Sequence, residues 1–130
     1  MASINKQVLI DADAAEVWAA LREWGALHER LAPGFVTDVR LDGGDRIVTF
    51  FNGSVVREVL VDLDEEERRL AWSIKDGPYT HHNGSAQVFE APGGATRFVW
   101  IADLLPDELA APTAEMMSAG LSAIERHLSR

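Results

Sequence analysis

The chain has 130 residues, 47% of them hydrophobic and 25% charged, and its formal net charge is −9. This composition is typical of one globular domain, here residues 1–130, that is large enough to bury a core unaided. The acidic balance argues against nucleic acid and against an anionic membrane surface as partners. The sequence has no cysteine, which excludes disulfides, thiolate metal sites and cysteine nucleophiles.

Composition also bears on location and origin. No stretch has the roughly 18 apolar residues that a membrane span needs, and no N-terminal run resembles a signal peptide. We therefore expect a cytoplasmic protein without membrane insertion, as a monomer or homodimer. Ten of the twelve basic residues are arginine, which suggests a bacterial source with a GC-rich genome.

The N-terminal third is predicted to contain one strand and two short helices. The strand covers residues 7–11, and Asp13 with Glu16 predicts a capping box that begins the first helix. Gly25 interrupts this helix, and a second short helix over residues 26–31 follows. Together the two helices predict a V-shaped support.

From residue 35 the hydrophobic period changes to two, which predicts six meandering strands. The predicted strands cover residues 35–41, 47–51, 55–64, 70–74, 81–90 and 96–104. The turn over Asp42–Asp45 predicts a hairpin, and Asn52-Gly53 predicts a second hairpin with a type I′ turn. Such alternation requires that one face of the sheet is covered.

Residues 107–128 predict a long amphipathic helix, the only long helix available to cover the sheet. Pro112 predicts either a kink or a main helix that begins at that residue. Gly120 lies on the apolar face in mid-helix, where glycine costs about 1 kcal/mol relative to alanine, so we expect a close approach by a backbone or a ligand. Met116 and Met117 supply flexible apolar surface. These residues either pack the core or border a cavity above a curved sheet.

Three segments together resemble a known family. They are IDADAAEVWAAL at residues 10–21, FNGSVVREVLVDLDEEERRLAWSI at residues 51–74 and ATRFVWIADLLPDELAAPTAEMM at residues 95–117. The succession resembles the polyketide cyclase/dehydrase and lipid-transport branch of the START-like (SRPBCC) superfamily. The resemblance implies an α+β helix-grip fold. In that fold a curved antiparallel sheet of about seven strands wraps around the long C-terminal helix, and two short helices follow the first strand.

The resemblance also implies a ligand pocket between the sheet and the long helix, gated by the turn at Asn52–Ser54 and the loop at Gly77–Thr80. Positions that match Glu58 and Trp72 face this pocket in relatives. The helix surface that contacts ligand in relatives matches Met116, Gly120 and Ile124. Because this superfamily contains enzymes, carriers and receptors, the fold does not settle the activity.

Glu58 is the main candidate for acid–base chemistry. Burial in an apolar pocket would favour its neutral form and let it exchange protons with a substrate. The alternative is a cross-strand ion pair with an arginine. Strand parity leaves the direction of Glu58 open, because apolar residues occupy the opposite parity at Val55, Val59, Val61 and Leu63.

Two tryptophans and a histidine are the other candidates. His81 and His82 are consecutive in a strand and therefore point to opposite faces, which makes them a poor metal-chelating pair. His82 either lines the pocket as a hydrogen-bonding or proton-transfer group or is a partly exposed edge residue. Trp72, whose strand parity points inward, and Trp100 either wall the pocket or anchor the core. The predicted ligand-binding set is Glu58, Trp72, His82, Trp100, Met116, Met117, Gly120 and Ile124.

Three functions fit these patterns. The first is binding or transport of a small hydrophobic molecule, such as a lipid or a polyketide. The second is a polyketide cyclase or dehydratase that uses Glu58 and His82 as catalytic groups in the same cavity. The third is a protein-interaction module of co-chaperone type, which would have a filled core. We expect no cofactor and no metal, because the corresponding motifs are missing from the sequence.

Overall fold

The computed structural model describes residues 1–130 and contains seven strands and two α-helices. The strands are β1 (Ala2–Ile10), β2 (Val36–Asp42), β3 (Asp45–Phe50), β4 (Val55–Asp64), β5 (Arg69–Lys75), β6 (His81–Glu90) and β7 (Thr96–Leu105). The helices are α1 (Ala14–Leu21) and α2 (Ala110–Leu128). None of the helices is long and apolar enough to cross a membrane.

All seven strands form one antiparallel sheet in the order β1-β7-β6-β5-β4-β3-β2. The N-terminal strand therefore lies beside the last strand, and α2 packs back against β1. This arrangement confirms the predicted helix-grip fold, with the long helix on the inner face of the sheet. The first strand begins earlier than predicted, because β7 pairs with it from Ala2 onward, through a stretch whose alternation of apolar and polar residues is interrupted by Lys6.

The core lies between the inner face of the sheet and α1 and α2. Its fully buried side chains include Ile10, Val17, Val48, Leu70, Phe98 and Leu104. One polar side chain is equally buried: Thr96 donates a hydrogen bond from Oγ1 to the backbone oxygen of Ala12, at 2.7 Å. This bond joins the start of β7 to the turn that follows β1.

Replacing Thr96 with valine is expected to lower the free energy of unfolding by about 1–3 kcal/mol, because the backbone oxygen of Ala12 would stay buried without a donor. Chemical denaturation measures the difference. Thr37→Val is the matched control, since the hydroxyl of Thr37 also donates to a backbone oxygen but at an exposed site. Equal losses in the two variants would contradict the role given to Thr96.

A β-bulge in β4 decides which way Glu58 points. The β4–β5 register passes from Leu60 opposite Trp72 to Asp62 opposite Ala71, so Val61 is the extra residue. Successive side chains of a strand point to alternate faces of the sheet, and an inserted residue reverses this alternation. Glu58 before the bulge therefore faces inward although apolar residues after it have the opposite parity. Val61 itself is 57% exposed.

The two predicted hairpin turns behave differently. Gly43 and Gly44 join β2 to β3, and both have positive φ, as a type I′ turn requires. The type I′ prediction for Asn52-Gly53 is wrong, because only Gly53 has positive φ. The strands β3 and β4 are joined by the longer loop 51–54, which Phe50 closes by donating its N–H to the backbone oxygen of Ser54 at 2.8 Å.

The helix boundaries also differ from the prediction. The capping box is wrong, since the side chain of Asp13 makes no capping hydrogen bond and its backbone oxygen accepts from the N–H of Glu16 instead. Pro112 causes no kink, because it lies in the first turn of α2, where backbone N–H groups need no partner within the helix.

The predicted second short helix, over residues 26–31, is present as a π-helix at Leu27–Leu31, and a 3₁₀ turn at Trp24–Ala26 precedes it. Hydrogen bonds to the β2–β3 hairpin hold Trp24 in place. Its indole N–H donates to the backbone oxygen of Gly44 at 3.0 Å, and its own backbone oxygen accepts from Arg46 at 3.1 Å.

Candidate functional site

A cavity of about 520 Å³ lies between the inner face of the sheet and α2. Pockets that bind small molecules in proteins span about 300–1,000 Å³, so the volume suits a compact organic ligand. Twenty of its 28 lining residues are hydrophobic. The large apolar groups on its wall include Phe35, Phe50, Trp72, Phe98, Trp100, Met116, Met117 and Ile124.

The two indole rings of the cavity wall are positioned by glycines. A Cβ atom at Gly84 would lie 2.9 Å from Cε2 of Trp72, so only glycine lets the Trp72 ring lie across β6. The ring centroids of Trp72 and Trp100 are 6.3 Å apart. A Cβ atom at Gly120 would lie 2.8 Å from Cζ3 of Trp100 and 3.0 Å from Cε2 of Phe35.

The close approach predicted at Gly120 therefore exists, but two aromatic rings make it. Gly120 does not line the cavity, and its prediction as a ligand-binding residue is wrong for that reason. The other predicted residues lie on the cavity wall: Glu58, Trp72, His82, Trp100, Met116, Met117 and Ile124. That they contact a ligand stays a prediction.

A buried ion pair stands on the cavity wall. Arg46 of β3 lies directly across from Glu58 of β4, and its Nε and Nη2 atoms are 2.8 Å and 2.7 Å from Oε1 of Glu58. The guanidinium also lies 3.8 Å from the ring centroid of Trp24, and Nη1 donates to the backbone oxygen of that residue. Both residues of the pair line the cavity and are almost fully buried. The ion pair and the inward position of Glu58, weighed as alternatives, occur together.

Arg46 was missed because the third strand was predicted to begin one residue after it. Burial lowers the pKa of its guanidinium, while the Glu58 carboxylate acts in the opposite direction. A guanidinium keeps its proton in proteins, so the pair is ionic. Both short contacts use Oε1 of Glu58, and Oε2 accepts no hydrogen bond from the protein.

A hydrogen bond from the backbone fixes the tautomer of the neutral His82 ring. Its Nδ1 atom accepts the N–H of Ile74 at 3.2 Å, and its own backbone oxygen accepts from Oγ of Ser73 at 2.6 Å. These bonds continue the sheet where the regular β5–β6 pairing stops. Because Nδ1 is an acceptor, the neutral ring carries its proton on Nε2. His82 is thus a hydrogen-bond donor toward its surroundings.

The surroundings of His82 favour the neutral ring. Its pKa is lowered to about 4, chiefly by burial and also by the neighbouring His81, although Asp103 acts in the opposite direction. His81 is exposed on the outer face while His82 is buried on the inner one, as the alternation predicted. At neutral pH the ring of His82 is therefore uncharged, and its Nε2–H is available as a hydrogen-bond donor.

Glu58 and His82 flank the cavity without touching each other. Glu58 pairs with Ile74, and Ile74 is bound to His82, so the three stand in a row across three strands. Neighbouring strands are about 4.8 Å apart, which places the backbones of Glu58 and His82 about 10 Å apart. No group of three or more His, Asp or Glu side chains is arranged to hold a metal ion.

The two segments that the resemblance implied as gates both contribute residues to the cavity wall. Asn52, Ser54 and Pro78 are exposed, so the cavity reaches the surface beside them, and that these segments gate it stays a prediction. Asn52 and Ser54 lie on one side, and Pro78 and Tyr79 lie on the other, close to the first turn of α2. The hydroxyl of Tyr79 is 2.7 Å from Oγ1 of Thr113, so a hydrogen bond joins the loop to the helix. We name this contact the Tyr79–Thr113 latch.

Replacing Tyr79 with phenylalanine removes only the hydroxyl of the latch. We expect hydrogen-exchange protection of the Thr80 amide, which donates to the backbone oxygen of Leu105 at 2.9 Å, to fall about fivefold, since one hydrogen bond contributes about 1 kcal/mol. Thr113→Val is expected to have the same effect, and the double variant no further effect. Protection of β6 and β7 serves as the internal control. A loop that exchanges at the original rate in both variants would show that the latch does not hold it.

The sequence matches, over residues 1–130, the family described as polyketide cyclase/dehydrase and lipid transport. No curated protein matches the chain significantly. Among solved structures, an uncharacterised protein from Bacillus thuringiensis has 21% identity and a TM-score of 0.86, with 96% of this chain and 97% of that chain covered.

Two further structural neighbours carry more informative descriptions. An aromatase/cyclase, Zhui, from Streptomyces sp. R1128 has 20% identity and a TM-score of 0.74, with 96% of this chain and 92% of that chain covered. A START superfamily protein from Mycobacterium smegmatis has 13% identity and a TM-score of 0.71, with 95% and 97% covered. At these identities the likeness concerns the fold.

Proposed function

This chain belongs to the polyketide cyclase/dehydrase and lipid transport family of the START-like superfamily, and we propose that it binds a small hydrophobic molecule between the sheet and α2. One observation carries the proposal: a cavity of about 520 Å³, with mostly apolar walls, opens to solvent between two loops. Apolar surface gains free energy when it leaves water, at about 25 cal/mol per Å². A ligand that covers these walls would gain that energy without any rearrangement of the sheet.

The volume of the cavity also weighs against the interaction-module hypothesis. Protein interiors are normally packed as densely as organic crystals, with few voids larger than a water molecule. A domain whose core only supports an outer binding surface has no need for a large internal space. Here two residues of the cavity wall, Ala86 and Ala102, have side chains too small to fill the space between the sheet and α2.

A cyclase or dehydratase activity is the second candidate. It is favoured by three polar groups that face one cavity, the carboxylate of Glu58, the imidazole of His82 and the hydroxyl of Tyr79. Binding ranks first because both candidate groups are already engaged by the protein or altered by burial. Glu58 is engaged with Arg46, and His82 has a pKa lowered to about 4.

The proposal can be tested with a neutral apolar probe, N-phenyl-1-naphthylamine, whose fluorescence rises in apolar surroundings. We expect saturable binding to the wild type. In Ala102→Phe the new ring would occupy the cavity, and we expect affinity to fall at least about tenfold, which is about 1.4 kcal/mol. Ile101→Phe is the matched control, because the preceding residue of β7 points to the other face.

The two variants separate cavity binding from surface binding. Loss of binding in Ala102→Phe with retention in Ile101→Phe supports the proposal. No saturable binding to the wild type, or equal binding to all three proteins, would overturn it. Mass spectrometry of a solvent extract of the purified protein adds a second readout, since a co-purified apolar molecule would identify its chemical class.

A further inference from the structure

We propose that the cavity selects apolar molecules that are neutral or cationic and carry a hydrogen-bond donor for Glu58, and that it excludes carboxylates such as fatty acids. The same ligand would carry an acceptor oxygen for His82 at its other end. This inference rests on the proposed function and names its ligand class. It follows from the way in which the charges of the cavity wall are already paired.

The charge of the only cationic side chain on the cavity wall is already balanced by Glu58. Arg46 and Glu58 are the only arginine, lysine, aspartate or glutamate residues among the lining residues. The guanidinium of Arg46 uses Nε and Nη2 for Glu58 and Nη1 for the backbone oxygen of Trp24. The Trp24 ring, which does not line the cavity, lies against it at 3.8 Å. A carboxylate ligand would therefore find no free cation.

The free polar atom of this ion pair is an anionic acceptor. Oε2 of Glu58 forms no hydrogen bond within the protein. The only fully enclosed side-chain polar atom without a partner is Nδ1 of His28, so Oε2 is not sealed off, and Glu58 lines the cavity. A carboxylate oxygen in apolar surroundings attracts O–H and N–H donors and repels a second carboxylate.

The second polar position has the opposite character. Because Nδ1 of His82 accepts the N–H of Ile74, the proton of the neutral ring is on Nε2, which has no protein partner. His82 therefore offers a donor to an oxygen of the ligand. The strand spacing separates the backbones of Glu58 and His82 by about 10 Å. A molecule of about two fused rings, with a donor at one end and an acceptor at the other, fits this arrangement.

The charge preference is tested with two probes that share one ring system, 2-naphthol and 2-naphthoate, in competition with N-phenyl-1-naphthylamine at pH 7. In the wild type we expect 2-naphthol to bind at least about tenfold more tightly, since a hydrogen bond to a charged group contributes about 1.5–3 kcal/mol. In Glu58→Gln, which keeps an oxygen for Arg46, we expect the preference to vanish or reverse. The doubly neutral variant Arg46→Met/Glu58→Leu should still prefer 2-naphthol, but by a smaller factor than the wild type, because only the cost of removing the carboxylate from water then separates the two probes.

The acceptor end is tested with 6-acetyl-2-naphthol and 6-ethyl-2-naphthol, which differ by one carbonyl oxygen. We expect the acetyl compound to bind more tightly to the wild type.

The outcomes separate the two proposals. If N-phenyl-1-naphthylamine itself does not bind saturably to the wild type, the proposed function fails. If it binds but none of the naphthalene probes displaces it, cavity binding stands and the proposed ligand class is wrong. If the probes bind but 2-naphthoate binds as tightly as 2-naphthol, cavity binding stands and the proposed ligand class is wrong. Equal binding of the acetyl and ethyl compounds would remove His82 from the recognition of the ligand.

Discussion

Glu58→Leu is expected to lose about 3–5 kcal/mol of its free energy of unfolding, because the substitution leaves the guanidinium of Arg46 buried without a counter-ion. Arg46 is only 4% exposed and lies between the cavity and the Trp24 ring, so it cannot reach water without moving the strand. Denaturant titration with urea measures the loss. The double variant Arg46→Met/Glu58→Leu is expected to recover most of it, since two apolar side chains need no partner.

A partly exposed ion pair on the same two strands, in which the Arg57 side chain is 27% exposed and also binds Asp42, provides the control. Arg57 is the residue before Glu58, points to the opposite face and binds Asp45 of β3 at 2.8 Å. Exposed pairs contribute about 0–1 kcal/mol, so Arg57→Met should cost no more than that. A loss in Glu58→Leu as small as that of Arg57→Met would show that Arg46 finds water or another partner, and would contradict the buried pair.

Acid is expected to destabilise the protein through His82. Its pKa is about 4 in the folded state and about 6.5 in the unfolded chain, so the unfolded chain binds more protons between these values. Stability from this residue is therefore complete above pH 6.5 and is lost as the pH falls through 4. The full difference corresponds to about 3 kcal/mol, of which about 2 kcal/mol should be lost between pH 7 and pH 4.5.

The contribution of His82 is isolated by comparing variants at the two pH values. His82→Gln cannot take up the proton, so its loss of stability on acidification should be smaller than that of the wild type by about 2 kcal/mol. His81→Gln, on the exposed side of the same strand, should behave much as the wild type does. If His82→Gln and the wild type lose equal stability, burial does not oppose protonation of this ring.

Together these two predictions concern groups that give the cavity its polarity. In the Arg46–Glu58 pair the positive charge is balanced by the carboxylate, and Oε2 of Glu58 is the acceptor oxygen that remains for a ligand. His82, whose Nδ1 atom accepts the N–H of Ile74, supplies an uncharged hydrogen-bond donor at Nε2. The stability experiments therefore also test the electrostatic premises of the proposed ligand class, by a route that needs no ligand.

Local periodicity determined the fold and the faces of most strands. Alternation of period two placed Trp72 inside and separated His81 from His82, because consecutive side chains of a strand point to opposite faces. The spacing of the last segment predicted α2, since three- and four-residue intervals lie on one face of a helix. These features depend only on neighbours along the chain, and the structure confirms them.

The tertiary structure alone decided the polar part of the site. The inward direction of Glu58 depends on a bulge at Val61, which appears only when β4 pairs with β5. Its pairing with Arg46 depends on the register of β3 and β4, and the role of Gly120 depends on two rings from distant segments. Register, bulges and ring packing arise from contacts between residues far apart in sequence, and for that reason no local pattern records them.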